Sequence, residues 1–255
     1  MEDGATVTSD FLFDRETEID GLRRRLRKRR PFLVHGSAGV GKTLLLNRVL
    51  PEFPEVLYSP ESASPQAVFR HLAIALVTAG APRLLRTLAG KPAEAIQAKS
   101  ATAFKGIVTD ALREGSFCVV LDHLKLPSHA FAAATREIMG WGSTAVVAVA
   151  RSAHMEDLGF LQPLYPERSD RFEIRDFPPM VAERFIQEAA RRAGLSAENI
   201  GEFLERVLEF SQGNPGAILS LLRMAQHPKY RAAGHIKITP LYLDFRLDWK
   251  PAGVR

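Results

Sequence analysis

Residues 36–43 constrain this chain more than any other segment. They read Gly-Ser-Ala-Gly-Val-Gly-Lys-Thr, which matches the phosphate-binding loop pattern at each fixed position. Glycines let consecutive backbone N–H groups turn toward one phosphate without a Cβ in the way. The lysine supplies a compact positive charge to the outer phosphates, and the threonine hydroxyl can ligate Mg²⁺. The predicted nucleotide contacts are Gly36, Ser37, Ala38, Gly39, Val40, Gly41, Lys42 and Thr43.

The residues on either side of the octet supply the setting that the motif requires. Residues 31–35, Pro-Phe-Leu-Val-His, read as a short buried strand, and residues 44–50, Leu-Leu-Leu-Asn-Arg-Val-Leu, read as a helix. A phosphate loop joins a strand to a helix. A helix that starts near Gly41 also directs the positive end of its dipole at the same anion. The context therefore favours a nucleoside-triphosphate site over an ordinary glycine-rich turn.

Composition describes a globular chain without a membrane anchor. The 255 residues are 46% hydrophobic and 25% charged, and they suffice for one α/β domain with or without a small appended one. No run of about 18 apolar residues occurs, and the acidic N-terminus lacks the layout of a signal peptide. The single cysteine, Cys118, fits a reducing compartment. We therefore expect a cytoplasmic protein with no membrane partner.

The positive charge is concentrated in one stretch. Seven of the eight residues from Arg23 to Arg30 are Arg or Lys, and only Leu26 interrupts them. Subtracting these seven from the net charge of +5 leaves +5 − 7 = −2 for the rest of the chain. Clustered cations release condensed counterions from a phosphate backbone, so the stretch is a candidate nucleic-acid contact. The alternative is the solvated face of a helix whose Leu22 and Leu26 face the core.

Apolar strands that alternate with helices, followed by helices only, predict the architecture. The fold class is an α/β P-loop NTPase, with a three-layer parallel-sheet core and a C-terminal all-helical lid. The predicted domains are residues 1–177 for the core with its N-terminal helix, 178–227 for the lid and 228–255 for an extension. Strands are expected at 32–35, 55–58, 117–122, 144–150 and 172–174, and helices at 14–30, 44–50, 65–78, 101–114, 129–139, 179–193, 197–211 and 215–226.

Asp122 is the second candidate for phosphate chemistry. It ends the apolar run Phe-Cys-Val-Val-Leu at 117–121. In an open parallel sheet such a carboxylate lies at the carboxyl end of its strand, where it can hold Mg²⁺ together with Thr43. The alternative is a strand-end aspartate that caps the next turn. His123 follows where many ATPases carry a second acid that activates water; a histidine can act as a general base, but we expect hydrolysis to be slow.

Three further segments resemble the AAA+/STAND group of P-loop ATPases, in a bacterial form with one domain and a lid. Residues 13–19, Phe-Asp-Arg-Glu-Thr-Glu-Ile, resemble the Arg-Glu-x-Glu box that begins the group. Residues 145–152, an apolar strand followed by Arg-Ser, resemble its sensor 1 strand. Residues 213–215, Gly-Asn-Pro, resemble the STAND Gly-x-Pro lid motif. The similarity spans roughly residues 10–227, and the segments come in the expected order.

The resemblance implies roles for individual residues near the nucleotide. Arg151 would reach the γ-phosphate and report its presence. Pro215 would pack on the adenine from the lid, and the backbone near Phe11, Leu12 and Phe13 would line the other side of the base. Two of these residues have a plainer alternative, Arg151 as a surface charge at a strand end and Pro215 as the first residue of a helix.

The resemblance also implies where subunits and lid would act on the phosphates. Arg171, or else Arg168, occupies the place of an arginine finger in some AAA+ relatives; the alternative for Arg171 is a solvated charge beside a strand. Relatives with a Gly-Asp-x-Arg lid helix place the sensor 2 arginine where this chain has Gly216. This departure favours a STAND-like protein over the relatives that have the arginine, and it favours slow hydrolysis.

ATP with Mg²⁺ is the predicted ligand pair, because no Asn/Thr-Lys-x-Asp element that would read guanine follows a strand. Three functions remain open. The first is an ATP-dependent switch with slow hydrolysis that regulates a partner protein or a nucleic-acid machine. The second is a non-catalytic ATP-binding adaptor or scaffold, which His123 and Gly216 favour. The third is a DNA-associated AAA+ loader or transposition-type regulator.

The C-terminal segment is the last one with a readable pattern. Residues 234–249 alternate apolar and polar side chains in the manner of a β-hairpin. Its aromatic residues Tyr242, Phe245 and Trp249 are expected either to dock on a partner or second copy, or to close over their own domain.

Overall fold

The computed structural model describes residues 12–62, 64–81, 84 and 101–249, with residues 101–104 described through their backbone. The chain forms two compact units. The sheet unit comprises Glu16–His35 and Leu45–Glu173, and the helical unit comprises Met1–Arg15, Gly36–Leu44 and Ile174–Arg255, each as far as it is described. The phosphate loop therefore belongs to the helical unit, although along the chain it follows a strand of the sheet unit directly.

Strands and helices alternate up to residue 173, and helices dominate after it. In chain order the α-helices and β-strands of the described residues are α1 Glu16–Arg27, β1 Phe32–His35, α2 Lys42–Val49, β2 Val56–Ser59, α3 Pro65–Thr78, α4 Ala101–Glu114, β3 Cys118–Leu121, α5 His129–Gly140, β4 Ala145–Ala150, α6 Met155–Leu158, β5 Arg171–Glu173, α7 Pro179–Arg192, α8 Ile200–Ser211, α9 Pro215–Gln226, β6 Arg231–Ala232, β7 His235–Ile236 and α10 Ile238–Asp248.

The sheet unit is built on five parallel strands in the order β2-β3-β4-β1-β5. Every residue of β3 and β4 is buried, as their almost wholly apolar sequences predict for inner strands of a parallel sheet. Leu72 of α3, Leu112 of α4 and Phe131 of α5 belong to the same hydrophobic core. The predicted α/β fold class with a parallel sheet is confirmed.

Parallel pairing brings the carboxyl ends of the strands to one edge of the sheet. His35 is the last residue of β1, Asp122 follows β3 and Arg151 follows β4. Since β4 lies between β1 and β3, these three residues end adjacent strands. The topology therefore places Asp122 and Arg151 at the edge at which β1 ends, as the sequence predicts for nucleotide chemistry.

The helical unit contains α7, α8, α9 and α10 around a second hydrophobic core. Phe185, Phe203, Leu221 and Phe245, one from each helix, are almost fully buried. Apolar residues recur along α9 at helical spacing, which gives this helix a continuous buried face. The helices predicted at 179–193, 197–211 and 215–226 are all present, with α8 starting at Ile200.

The prediction of a hairpin over residues 234–249 is wrong for most of that segment. Only a two-residue pair forms, between Arg231–Ala232 and His235–Ile236, and residues 238–248 form α10. Leu241 and Phe245 are both buried and lie four residues apart, so burial follows the helical period rather than alternation. Tyr242 stacks on Phe210 at 3.7 Å between ring centroids, so it packs within its own unit.

Candidate nucleotide-binding site

The phosphate loop leaves β1 and enters α2, which begins at Lys42, as the motif requires. Gly39 in the middle of the loop has φ +81°, a conformation that residues with side chains rarely adopt. A Cβ at this position would also lie 2.8 Å from Asn214 Oδ1 and 2.8 Å from the Trp249 ring. The backbone conformation and the close approach of these two residues therefore both require glycine here.

Every carbonyl oxygen of the loop from Gly36 to Val40 accepts a hydrogen bond within the helical unit. Backbone carbonyls that all have donors fix the orientation of the peptide planes between them. The bonds are Lys42 Nζ to Gly36 O (2.6 Å) and to Ser37 O (3.0 Å), Asn214 Nδ2 to Ala38 O (2.9 Å), Gly216 N to Gly39 O (2.9 Å) and Arg15 Nη2 to Val40 O (3.4 Å).

Asn214 joins α9 to the loop through both ends of its side-chain amide. Its Oδ1 accepts a hydrogen bond from Ala217 N–H at 3.0 Å, which caps the N-terminus of α9. Its Nδ2 donates to Ala38 O, to Ser37 Oγ at 3.1 Å and to Asp176 Oδ1 at 2.8 Å. The Ser37 hydroxyl donates to the same Asp176 oxygen at 2.9 Å. Neither Asn214 nor Asp176 is among the site residues that the sequence predicts.

Gly216 stands where the resemblance implies a sensor 2 arginine in some relatives. A Cβ on Gly216 would lie 2.7 Å from Gly39 Cα and 2.9 Å from Gly39 O. Both are backbone atoms, which cannot swing aside as a flexible side chain can. The departure from the Gly-Asp-x-Arg pattern therefore has a structural reason, because the loop leaves no room for a side chain at this position of α9.

Arg15, in the segment that resembles the Arg-Glu-x-Glu box, is 5% exposed. Its Nη2 donates to Arg175 O at 2.8 Å and to Val40 O at 3.4 Å. Its guanidinium carbon lies 4.3 Å from the centroid of the Phe177 ring, within the range of a cation–π contact. Arg15 thus anchors the end of the phosphate loop, a role that the sequence did not reveal.

Asp122, directly after β3, is 1% exposed. Its Oδ1 accepts a hydrogen bond from the His123 N–H at 2.7 Å, and its Oδ2 accepts one from the Tyr58 hydroxyl at 2.8 Å. Burial and the neighbouring Asp122 carboxylate raise the pKa of Tyr58, so the phenol stays a neutral donor. The carboxylate is therefore held in one orientation by a neighbouring strand.

This arrangement fits the predicted Mg²⁺ role of Asp122. Mg²⁺ takes oxygen ligands and is commonly bound through one or two carboxylates plus phosphate oxygens and water. Asp122 would supply such an oriented carboxylate. Thr43, in the first turn of α2, carries the hydroxyl that the motif assigns to Mg²⁺, and its joint action with Asp122 on one ion stays a prediction. Among the described residues no cluster of three or more His, Cys, Asp or Glu could hold a metal ion.

His123 has φ +54°, and its side chain is 62% exposed. The Nδ1 atom lies 3.0 Å from the Pro60 carbonyl oxygen. Because a carbonyl can only accept, Nδ1 carries the proton of this hydrogen bond, and Nε2 is the accepting nitrogen of the neutral ring. A general base needs such an accepting nitrogen, and the part of His123 in hydrolysis stays a prediction.

The arginines predicted to act on phosphates differ in their surroundings. Arg151 is exposed after β4, and Arg168 is exposed before β5. The Arg171 guanidinium donates to Tyr165 O at 3.1 Å and to Pro166 O at 3.4 Å. These bonds brace the turn that precedes β5, which supports a local structural role for Arg171; its action as an arginine finger stays a prediction.

The residues predicted to line the adenine are described in part. Phe11 lies outside the described residues. The Phe13 ring packs against Phe177 and Phe185, with centroid distances of 6.3 and 5.5 Å. Pro215 is the first residue of α9, so it does start a helix, and its contact with adenine stays a prediction.

The structure separates the basic stretch into two sets. Arg23 pairs with Glu52 at 2.6 Å, Arg29 pairs with Glu55 at 3.0 Å, and Arg25 Nη1 donates to Ser169 O at 2.7 Å. These three arginines therefore take part in packing of the sheet unit. The remaining four cations are exposed and include the last residues of α1 and the turn after it: Arg24, Arg27, Lys28 and Arg30.

The sequence matches no protein-family model and no curated protein. The described fold is similar to several solved ATPase structures at low sequence identity. The Walker-type ATPase PABY2304 of Pyrococcus abyssi superposes with a TM-score of 0.57 at 17% identity, over 88% of this chain and 70% of that one. These values show similarity of fold.

Two Aeropyrum pernix structures cover even more of the chain. The ORC1 protein in complex with DNA gives a TM-score of 0.60 at 16% identity, over 95% of this chain and 66% of that one. The ORC2 protein with ADPNP and ADP gives 0.61 at 14% identity, over 100% of this chain and 73% of that one. None of these supports the bacterial form that the sequence suggested. With the loop motif and the sheet order, they show that the chain has the P-loop fold of these ATPase structures.

Proposed function

We propose that this protein is a cytoplasmic ATP-dependent switch that binds MgATP, hydrolyses it slowly and regulates a partner protein or a nucleic-acid machine. The complete phosphate loop, held through all five carbonyls from Gly36 to Val40, carries the proposal. Such a loop presents backbone N–H groups and the Lys42 ammonium to phosphates. Asp122 and Thr43 would hold Mg²⁺ at the same nucleotide.

Slow turnover is proposed because the groups that speed hydrolysis in this fold are replaced. His123 occupies the place of the second acid, and Gly216 leaves no arginine at the sensor 2 position. Loss of one such group typically costs about 10²–10³-fold in rate. We therefore expect a turnover well below about 1 per second, the low end of ordinary enzyme rates.

Release of inorganic phosphate from ATP separates the switch from a non-catalytic adaptor or scaffold. The assay compares wild type with Lys42→Ala, with and without duplex DNA. Slow release that disappears in Lys42→Ala supports the switch. Nucleotide binding with no release above the Lys42→Ala background under any condition leaves only the adaptor.

Arg151 gives the switch a way to distinguish ATP from ADP. A guanidinium at the end of β4 can neutralise γ-phosphate charge that ADP lacks. Arg151→Ala should lower the affinity for ATP by about 10-fold, which is the value of a charge-assisted hydrogen bond. The affinity for ADP should stay unchanged. Equal loss for both nucleotides in a fluorescent-nucleotide displacement assay would contradict this role.

A DNA-associated loader or regulator is the second candidate function, and the exposed cations of the basic stretch favour it. Four cations close in sequence on and after α1 can contact phosphates, and the similar ORC1 structure is a complex with DNA. Four neutralised phosphates predict a slope of about −3.6 in log affinity against log salt for duplex DNA.

Fluorescence anisotropy with labelled duplex DNA tests this candidate. A variant with alanine at the four exposed cations should lose the salt-dependent binding, whereas a control with four exposed arginines of the helical unit replaced should keep it. Equal affinities for the two variants would remove the basic stretch from any DNA contact. The first set is Arg24, Arg27, Lys28 and Arg30, and the control set is Arg184, Arg191, Arg192 and Arg206.

A further inference from the structure

Helix α9 contacts the phosphate loop through its first residues rather than through a long side chain. Asn214 Nδ2 donates to Ala38 O at 2.9 Å, and Gly216 N donates to Gly39 O at 2.9 Å. These two peptide carbonyls are consecutive, and both point at α9. A stretch of loop backbone is therefore bound to the N-terminus of one helix that lies far away in the sequence.

The direction of these carbonyls fixes the direction of the loop amides. In a trans peptide the C=O and the following N–H point to opposite sides. Since Ala38 O and Gly39 O face α9, the N–H groups of Gly39 and Val40 face away from it, and the Val40 N–H makes a long hydrogen bond of 3.3 Å to Ser37 O. Backbone N–H groups held on one side of a loop form the concave site that binds anions.

We propose that Asn214 is a positioning residue for the phosphate loop, holding its middle peptides in the orientation that presents N–H groups to the nucleotide. The side chain is suited to this, because one amide group caps α9 through Oδ1 and clamps the loop through Nδ2. Ser37 and Asp176 complete the clamp, since Asp176 Oδ1 accepts from both the Ser37 hydroxyl and Asn214 Nδ2.

This inference rests on the proposed nucleotide function, and it predicts the direction in which nucleotide affinity changes when the clamp is removed. A loop that is already held in the binding orientation loses less conformational entropy when the ligand binds. Releasing the loop therefore weakens binding. If the clamp instead held the loop closed against nucleotide, releasing it would strengthen binding. The effect of one substitution on affinity therefore decides between the two.

Asn214→Ser is the informative variant. Serine caps a helix about as well as asparagine, so α9 keeps its N-terminal hydrogen bond and the protein should still fold. Serine cannot reach Ala38 O with an amide, so the clamp is lost. We expect affinity for ATP and ADP to fall together by about 10-fold, the value of roughly one hydrogen bond, while the protein still unfolds cooperatively in urea at a modestly lower midpoint.

Asp176 supplies a test of the geometry. Asn214→Asp keeps the cap but places a carboxylate beside Asp176, so it should bind nucleotide more weakly than Asn214→Ser. Adding Asp176→Asn removes the repulsion and should return affinity to the level of Asn214→Ser. Asp176→Asn alone weakens one part of the clamp, so its affinity should fall between those of wild type and Asn214→Ser.

Hydrogen exchange of the ligand-free protein tests the clamp independently of nucleotide. Amides of peptides covering residues 36–41 should exchange faster in Asn214→Ser than in wild type, whereas amides of α8 should not change. Unchanged loop exchange, or nucleotide affinity equal to or above wild type in Asn214→Ser, overturns the inference. If wild type itself binds no nucleotide, the proposed function fails, and the exchange result alone then decides whether the clamp exists.

Discussion

Replacing Gly216 by alanine should force α9 away from the phosphate loop. The added Cβ would lie 2.7 Å from Gly39 Cα and 2.9 Å from Gly39 O, and both of these are backbone atoms. Overpacking by one carbon costs about 1–3 kcal/mol. Loss of the Gly216 N–H to Gly39 O bond adds about 0.5–1.5 kcal/mol, and the better helix propensity of alanine returns at most about 1 kcal/mol. Together these contributions give a net loss of about 0.5–4.5 kcal/mol in the free energy of unfolding.

Gly201 is a matched control for this substitution. It is the second residue of α8, as Gly216 is the second residue of α9, and a Cβ on Gly201 would meet no atom within 4 Å. Gly201→Ala should leave the free energy of unfolding unchanged or raise it by up to about 1 kcal/mol. Urea unfolding followed by circular dichroism measures both variants. Equal free energies for the two alanine variants would refute the close approach of Gly216 to the loop.

Three further predictions concern the sheet unit. Tyr58→Phe should lower the free energy of unfolding by roughly 1.5–3 kcal/mol in urea titrations, because buried Asp122 loses a donor, and the loss should shrink in an Asp122→Asn background; an equal loss in both backgrounds argues against the bond. His123→Glu should raise phosphate release by about 10²-fold if the missing acid limits hydrolysis, and an unchanged rate shows that something else does. Burial raises the pKa of the Cys118 thiol to about 12, so an aromatic disulfide reagent should label it only after unfolding, and labelling of native protein would contradict its burial.

The sequence patterns predict most of the sheet unit because its elements are locally unambiguous. Residues 145–150 contain only alanine and valine, a composition that suits a strand buried on both faces. Helix α3 starts and ends at the predicted residues 65 and 78, because Pro65 suits the first helical position and Ser64 caps it. Buried apolar faces and proline punctuation are properties of consecutive residues, and a sequence displays them directly.

The segment after residue 236 shows where local pattern misleads. Its alternating polarity fits a strand, yet the buried residues Leu241 and Phe245 lie one helical turn apart. Packing against the core of the helical unit decides between the two-residue period of a strand and the 3.6-residue period of a helix. A segment this short has too few positions for the sequence alone to distinguish the two. The structure also favours the expectation that its aromatic residues close over their own domain, since Trp249 stacks on Phe245.

Within the candidate site, the sequence identifies the groups that face the ligand but not those that hold them. The loop octet is contiguous, so the pattern names it. Asn214 lies 176 residues from Ala38, and Tyr58 lies 64 residues from Asp122. Neither pair leaves a local signature, because each is brought together only when strands pair or when α9 meets the loop. Supporting residues of this kind become visible through hydrogen-bond geometry alone.

Calorimetric titration with MgATP shows whether residues 36–43 hold a nucleoside triphosphate. Wild type should release heat with one site per chain, Lys42→Ala should show none, and Lys105→Ala, which removes an exposed lysine of α4, should match wild type. Absence of heat from wild type, or identical titrations for wild type and Lys42→Ala, would contradict triphosphate binding at this loop.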